Sequence, residues 1–568
     1  MKTALKAVVL VLCLVLSMLL VYEIHGRPAV GIDDANIFFS YSENFAVGKG
    51  MVYANNPERV EGFTSLLWMI MCAMFFKLGA GEKAILCLSV LLLSVTHILT
   101  AAAIGGRARA AACRPLPFQA AYLVMIALSA PYMTWMTITL MDTCLWGLII
   151  TVLAIFVLMP ANSILSQPVA GLAVLLSVFV RPESMLVTPV VLLLIWHQRS
   201  GKGLLADAVN AKKLLAAFFV TLAVLTGFRL AYFGYPLPNT WYAKVSPSFV
   251  YNILNGLEYL FEFVTSGIIV GAGLALLLAY LFYTRFKQQQ SDDASDDQNL
   301  RPAYLHFAVF VLVLCILPVL TGGDHFALSR FYQPLYPLLC LALTLFFIEI
   351  RSFGTGLFAR VCRHGATLLV VLAAFDYALF AWGNGAGFSQ WRWESPLANE
   401  FRIAEKGIDL GNRLNRLFED IQPKPDVAVI PAGGIARSYK GPITDLLGLN
   451  HTRIAHYRGS RIGKKNHASF ERELFFEMMP DILIGVPPGS DKGSQFTNDT
   501  LKGLLLDEKF VMSYSYGELA RTDNAELSVR SFFRNDFVES LKDQTTVKFV
   551  QTMIYKGNAY VEKLSDMR

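Results

Sequence analysis

Apolar runs with short polar breaks recur up to about residue 383, and beyond that point the sequence alternates as a water-soluble domain does. The runs Ala7–Tyr22, Ile85–Ile104, Phe118–Ala130, Thr143–Leu158, Val169–Val180, Met185–Trp196, Leu214–Tyr232, Ile268–Tyr283, His306–Leu320, Tyr332–Ile350 and Thr367–Trp382 read as membrane helices, about eleven spans in all. Val169–Val180 and Met185–Trp196 are each too short to cross a hydrocarbon core of about 30 Å unaided. The Arg181-Pro182-Glu183 break between them is therefore expected within membrane depth, where charge is tolerated only in a water-filled or protein-lined cavity. Phe63–Leu78 is short as well, and reads as an interfacial or re-entrant helix rather than a span.

Basic residues set the orientation. Lys2 and Lys6 precede the first run, which ends without a small-residue cleavage site, so an uncleaved span with a cytoplasmic N-terminus is expected. With Phe63–Leu78 not spanning, Arg107, Arg109 and Arg114 fall in the cytoplasm, as do Arg199, Lys202, Arg285, Arg351 and Arg363. An odd number of spans then puts the C-terminal region outside, on the same side as Asp33. The division is a membrane domain, 1–383, with its first outer loop at 25–84, and a soluble domain, 384–568.

In the soluble domain, Asp426–Ile430 and Asp481–Val486 read as buried strands, and Leu410–Phe418 and Phe470–Met479 as helices, which indicates an α/β domain. The turn after the first strand, Pro431-Ala432-Gly433-Gly434, lacks the spacing of a dinucleotide-binding loop. The fold class is thus a polytopic α-helical membrane protein with a C-terminal α/β domain outside.

Composition agrees with that class: 55% of the 568 residues are hydrophobic, 16% are charged, and the mean hydropathy is +0.47. The net charge of +6 is small and its basic residues cluster in short loops, which argues against a nucleic-acid partner. All eight cysteines lie in or beside apolar runs with no metal-ligand spacing, so neither a disulfide framework nor a zinc site is expected.

The most informative stretch is Gly31–Trp68, GIDDANIFFSYSENFAVGKGMVYANNPERVEGFTSLLW. It sets two adjacent carboxylates, Asp33 and Asp34, just outside a membrane anchor, where charge is costly unless water or a partner receives it. The expected topology gathers Arg59, Glu61, Asp142, Arg181, Glu183, Asn239, Lys244, Asp324, His325 and Arg330 at the same face. A carboxylate can deprotonate a hydroxyl, and arginine or lysine can hold a phosphate leaving group. Together these suit transfer of a sugar from a polyprenyl-phosphate donor to an acceptor hydroxyl. Structural roles fit several of these residues too. Arg181 pairs readily with Glu183 to satisfy a buried break, Lys244 and Arg330 suit interfacial anchors, and His325 suits packing.

The Gly31–Trp68 stretch resembles the first outer loop of the GT-C superfamily of membrane glycosyltransferases, in the branch of arabinofuranosyltransferases and pilin arabinosyltransferases. ITLMDT, RPES, RLAYFGYPLPNTWYAK, GGDHFALSRFYQPLYPLL and DLLGLNHTRIAH follow in the order of that branch's motifs. The chain departs from the pattern at Asn36, Ser40, Asp142 and His325. The resemblance implies Asp33 as catalytic base with Asp34 as its partner, and leaves a divalent metal at Asp34 open. It places Asp142 near the sugar and Arg181, Lys244 and Arg330 on the donor phosphate. It further implies an inverting transferase of the bacterial inner membrane, with a periplasmic site. The donor would be a polyprenyl-phosphate sugar such as arabinofuranose, and the acceptor an envelope glycan, lipopolysaccharide or pilin. Two other functions remain compatible with the residues: a flippase or exporter of lipid-linked sugar, and a non-catalytic envelope scaffold.

Overall fold

The computed structural model describes residues 6–16 except 14, then 31–158, 167–200, 205–288, 301–350, 364–383 and 396–563, the last stretch without 460, 464, 466, 468, 491 and 558. Residues 14 and 17–22 of the first expected span, Ala7–Tyr22, and the domain boundary at 384 fall outside the described residues.

The apolar runs fold as helices whose lengths differ from the expected spans. By length and composition four described helices can cross a membrane: Gly81–Ala110, Asn210–Phe233, Ala303–Leu320 and Arg330–Glu349. Two bent helix pairs are apolar enough to join them, each as one broken span or a re-entrant loop: Pro115–Ala127 with Ala130–Met136, bent by 77°, and Phe249–Thr265 with Ile268–Phe282, bent by 110°. Among the described residues, then, four helices reach spanning length, or six if each bent pair is one span, and the other expected spans fold as shorter apolar helices. Thr143–Leu158, Ser184–His197 and Gly365–Phe380 are shorter, and Thr143–Leu158 is buried almost all round as the centre of the bundle.

Local chemistry sets the breaks. Pro131 opens the Ala130–Met136 helix, where its missing N–H costs nothing. Ser248 caps Phe249–Thr265 by accepting from the Tyr251 amide, and the Asp376 carboxylate accepts from the Ile268 amide at 2.7 Å to start the helix after the second bend. Phe249, Val250, Leu254 and Phe261 are exposed along one face of Phe249–Thr265, while Asn252, Gly256, Tyr259 and Phe263 are buried on the other. That pattern fits a helix lying along an apolar boundary. At the end of the bundle remote from Asp33, Arg107 donates to Glu349 at 2.6 Å and to the Tyr304 hydroxyl at 3.0 Å.

The first outer loop is more ordered than its polarity suggests. Asp33–Ala46 is a helix packed on Leu66–Lys77 and on two elements of the soluble domain. The turn between them brings Gly50 so close to Tyr232 that a Cβ would lie 2.7 Å from its hydroxyl. Leu66–Lys77 begins at a Ser65 cap and holds Trp68, whose indole N–H donates to the Leu140 carbonyl at 3.2 Å.

The soluble domain opens with the helix Pro396–Leu417, longer than the expected Leu410–Phe418. Its sheet has six strands: β1 Val427–Val429, β2 Ile443–Asp445, β3 Ile482–Leu483, β4 Tyr514–Arg521, β5 Ser528–Arg534 and β6 Val547–Gln551, in the order β2-β1-β3-β5-β4-β6. β1 runs parallel to β2 and β3, with Val427 opposite Ile443 and Ile482, whereas β3, β5, β4 and β6 pair antiparallel. Both strands expected from the sequence are present as β1 and β3, and the Phe470–Met479 helix appears as Arg472–Met478. The antiparallel half adds a second core around Phe475, Phe510, Tyr514 and Phe532.

Candidate active site

Asp33 and Asp34 open the Asp33–Ala46 helix, and successive helical residues point about 100° apart. The two carboxylates accordingly meet different surroundings. Asp33 is buried, and its two oxygens accept from the backbone amides of Gly433 and Gly434 in the soluble domain, at 2.9 and 2.8 Å. Asp34 faces cations: its Oδ2 lies 3.1 Å from Arg330 and 3.7 Å from Lys244. Burial raises the Asp33 carboxyl to about 6, against the pull of the two amides, and neighbouring Asp34 and Asp445 add to the rise. Burial acts on Asp34 in the same sense, but Lys244, Arg330 and His325 outweigh it and hold that carboxyl below its ordinary value.

Arg330 is the hub. Its Nε lies 2.6 Å from Asp324 Oδ2, and its guanidinium sits over the rings of Phe326 and Phe331 at 4.4 and 4.8 Å. It is reached through two successive left-handed residues, Leu328 at φ +63° and Ser329 at φ +49°. Each costs on the order of 1–2 kcal/mol, so the surrounding packing must enforce the turn. Asp324 is fully buried, and Arg330 and His325 hold it well below the carboxylate range despite that burial. The His325 ring lies 4.4 Å from His467 of the soluble domain.

The Arg181-Pro182-Glu183 break sits between the helices Gln167–Val180 and Ser184–Ser200, as its short flanking runs predict. Arg181 lies 3.3 Å from both Asp142 and Glu183 and 5.1 Å over Phe331, so it reaches the same ring as Arg330 from another side. Asp142 Oδ1, Arg181 Nε and Glu183 Oε2 are buried with no hydrogen-bond partner. Arg181 and Glu183 border a crevice whose other walls include Trp146, Ile150, Leu314 and Phe331. Unpaired buried polar atoms beside an apolar crevice are what a bound amphiphile would satisfy.

Three expected site residues serve elsewhere. Glu61 takes a two-pronged contact from Arg229 at 2.8–3.0 Å, with both side chains buried. Asn239 donates to the carbonyls of Gly448 and Leu449 at 2.8 and 3.0 Å, and Arg59 lies 4.6 Å over the Tyr232 ring. All three fasten the first loop and its neighbour to other parts of the chain.

The soluble domain supplies residues that sequence reasoning did not single out. Arg437 donates to Glu43 and, at 3.1 Å, to Asn36 Oδ1, and it reaches Glu82 at 2.5 Å. Asn36 thus departs from the family pattern at a contact between domains. Ser40, another departure, accepts from the Ala54 amide at 2.9 Å. Glu400 is raised to about 8, first by burial and then by Asp34 and Asp33. Asp445, raised by burial to about 6, is held by the amides of Leu447 and Asn450. The available signals were the glycine pair after β1 and the DLLGLNHTRIAH stretch that contains Asp445.

The donor set does not fit a divalent metal at the acid pair. Each Asp33 oxygen already accepts from one amide, Asp34 points at two cations that would repel an ion, and among the described residues no three His, Cys, Asp or Glu side chains are grouped to hold one. No disulfide joins the described cysteines.

No family model and no curated protein matches this chain. Among solved structures it is similar to ArnT from Cupriavidus metallidurans bound to undecaprenyl phosphate, with 13% identity and a TM-score of 0.45 over 78% of this chain and 86% of that one. It is also similar to the archaeal oligosaccharyltransferase AglB from Archaeoglobus fulgidus, in complex with an inhibitory peptide and a dolichol-phosphate. Here the identity is 10% and the TM-score 0.46, over 97% of this chain and 76% of that one. With scores below 0.5, neither neighbour fixes the chemistry of this chain.

Proposed function

We propose that this chain is a membrane glycosyltransferase of GT-C type that moves a sugar from a polyprenyl-phosphate donor to an acceptor hydroxyl. The observation that carries this reading is the division of the acid pair. Asp33, raised to about 6, is suited to accept a proton near neutrality, while Asp34 stays ionised against Lys244 and Arg330. Two neighbouring carboxylates driven apart in this way take two roles.

In the reaction Asp33 accepts the acceptor's hydroxyl proton as that oxygen attacks the anomeric carbon from the face opposite the phosphate. The bond from that carbon to the phosphate oxygen breaks, and its electron pair leaves with polyprenyl phosphate. Arg330 and Lys244 take up the charge on the leaving oxygens, which are already acidic enough to need no proton donor. Asp34 and Asp324 keep the two cations in place before the donor arrives. The crevice beside Arg181 would receive the first part of the lipid, with Asp142 and Glu183 available to sugar hydroxyls. Displacement from the opposite face inverts the anomeric centre.

The location we propose is a bacterial inner membrane, with the site and the soluble domain on the periplasmic face. An arabinofuranose-like pentose is the proposed donor sugar, and an envelope glycan, lipopolysaccharide or pilin the proposed acceptor. The test is to give the full-length protein in nanodiscs a panel of polyprenyl-phosphate sugars. Wild type should release polyprenyl phosphate, and Asp33→Asn and Arg330→Gln should not, with thermal unfolding retained. Undiminished release by Asp33→Asn, or none from wild type with any donor, would reject the proposal.

A further inference from the structure

The Pro431–Gly434 turn follows β1 in the soluble domain, yet its amides end on a side chain of the first outer loop, about 400 residues earlier in the chain. Nothing about the turn's place in the sheet requires that approach. Glycine does make it possible: a Cβ on Gly433 would fall 1.8 Å from the Asp33 carbonyl oxygen, and one on Gly434 would fall 2.1 Å from the Ala404 carbonyl oxygen. Both obstacles are backbone atoms, which cannot rotate away. Contacts on either side hold the turn in register. Tyr53 donates to the Ala432 carbonyl at 2.5 Å, Asn56 and Ile443 exchange hydrogen bonds at 2.7 and 3.0 Å, and Arg437 engages Glu43 and Glu82.

We infer that the Pro431–Gly434 turn is a positioning element of the active site: the Gly433 and Gly434 amides fix the Asp33 carboxylate, so the base and its holder come from different domains and neither makes a site alone. This rests on Asp33 serving as the base, as proposed above. A carboxylate has about four acceptor directions. One amide on each oxygen therefore orients the group and still leaves a lone pair for a hydroxyl. The amides also favour the charged form in a buried place, against Asp34 on the same helix, Asp445 on β2 and Glu400 on Pro396–Leu417, with Tyr53 packed nearby. The soluble domain thereby takes part in the chemistry whatever acceptor it selects.

The test removes an N–H without adding an atom. Glycolic acid is incorporated at position 434 of the full-length protein, replacing the amide by an ester, and the Asp33 carboxyl is titrated by infrared difference against Asp33→Asn. The Asp33 titration should move upward by roughly one pH unit. The acidic limb of the rate profile should move with it, kcat at pH 6 falling several-fold while KM for the donor changes by less than about twofold. Asn56→Ala, which loosens the same interface without touching Asp33, should leave the titration where it is in wild type. An ester variant that titrates as wild type does, or an Asn56→Ala variant that shifts as far as the ester, overturns the inference. If the ester shifts the titration but wild type transfers no sugar from any donor, the transferase reading falls while the contact between domains stands.

Discussion

Gly433→Ala gives a direct measure of how tightly the two domains meet. The added methyl would sit 1.8 Å from the Asp33 carbonyl oxygen, 2.6 Å from its carbon and 3.0 Å from Cγ. Relieving that overlap to an ordinary contact needs a separation of roughly 1.5 Å, which stretches amide bonds of 2.9 and 2.8 Å past any useful length. Hydrogen bonds to a charged group contribute about 1.5–3 kcal/mol each. Part of that loss returns when the carboxylate, whose burial has lifted it to about 6, meets water again. The net loss should be about 2–3 kcal/mol, or roughly 30- to 150-fold in the local opening equilibrium. Hydrogen exchange of peptides covering 427–438, in nanodiscs at neutral pH, reads that equilibrium. Gly227→Ala, where nothing lies within 4 Å of the added atom, is the control and should leave the exchange unchanged. If Gly433→Ala keeps wild-type protection, the close approach of Gly433 to Asp33 is wrong.

Transfer should need ionised Asp33. Its carboxyl is raised from 3.8 to about 6, so the proton returns as pH falls through 6, and the rate should drop about tenfold for each unit below it. A rate profile flat down to pH 4.5 would contradict this. Glu400, raised to about 8, is protonated at neutral pH, so Glu400→Gln should change the rate by less than about twofold at pH 7 and depart from wild type only above pH 8. A tenfold loss at pH 7 would give Glu400 a role its protonated form does not explain. Arg229→Leu strands the buried Glu61 carboxylate and should cost on the order of 3–5 kcal/mol in thermal unfolding, while Arg229→Met combined with Glu61→Leu recovers most of it. Equal losses in the single and double variants would exclude a buried ion pair. Arg330→Lys keeps a charge but not the planar fork between Asp324 and Asp34, so kcat should fall more than tenfold; a rate within twofold of wild type would remove Arg330 from the leaving-group site.

Much of the site was legible in the sequence because its residues break the rules of their surroundings. A tandem Asp-Asp beside an anchor, an Arg-Pro-Glu between two half-length apolar runs, and an aspartate and arginine within GGDHFALSRF each set charge where lipid-facing sequence avoids it. The structure brings Asp33, Asp34, Asp142, Arg181, Glu183, Lys244, Asp324 and Arg330 to one end of the bundle. Glu61 and Asn239 carry the same kind of signal but spend it on Arg229 and on two carbonyls, a distinction that needs partners hundreds of residues away. Gly433 and Gly434 act through backbone N–H groups, which every residue but proline carries, so the glycine pair marks a close approach without saying which carboxylate it meets. The bends of 77° and 110°, at Pro131 and at the Asp376 cap, were not legible, because hydropathy reports apolarity and not direction. β4 and β5 were missed because residues such as Glu518, Arg521 and Arg530 interrupt their apolar alternation.

The polar groups of the first loop have a consequence for biosynthesis. Tyr41, Tyr53, Asn55 and Asn56 all bond to residues between Ala432 and Asn450, and their partners leave the ribosome some 380 to 410 residues later. At about 5–20 residues per second, the loop waits roughly 20–80 seconds for them. Until then a helix made to be enclosed on several sides lies open beside a half-built bundle, vulnerable to proteases and to wrong pairing. A nascent chain arrested before residue 432 should therefore be cut within 31–62, and one released after residue 563 should resist.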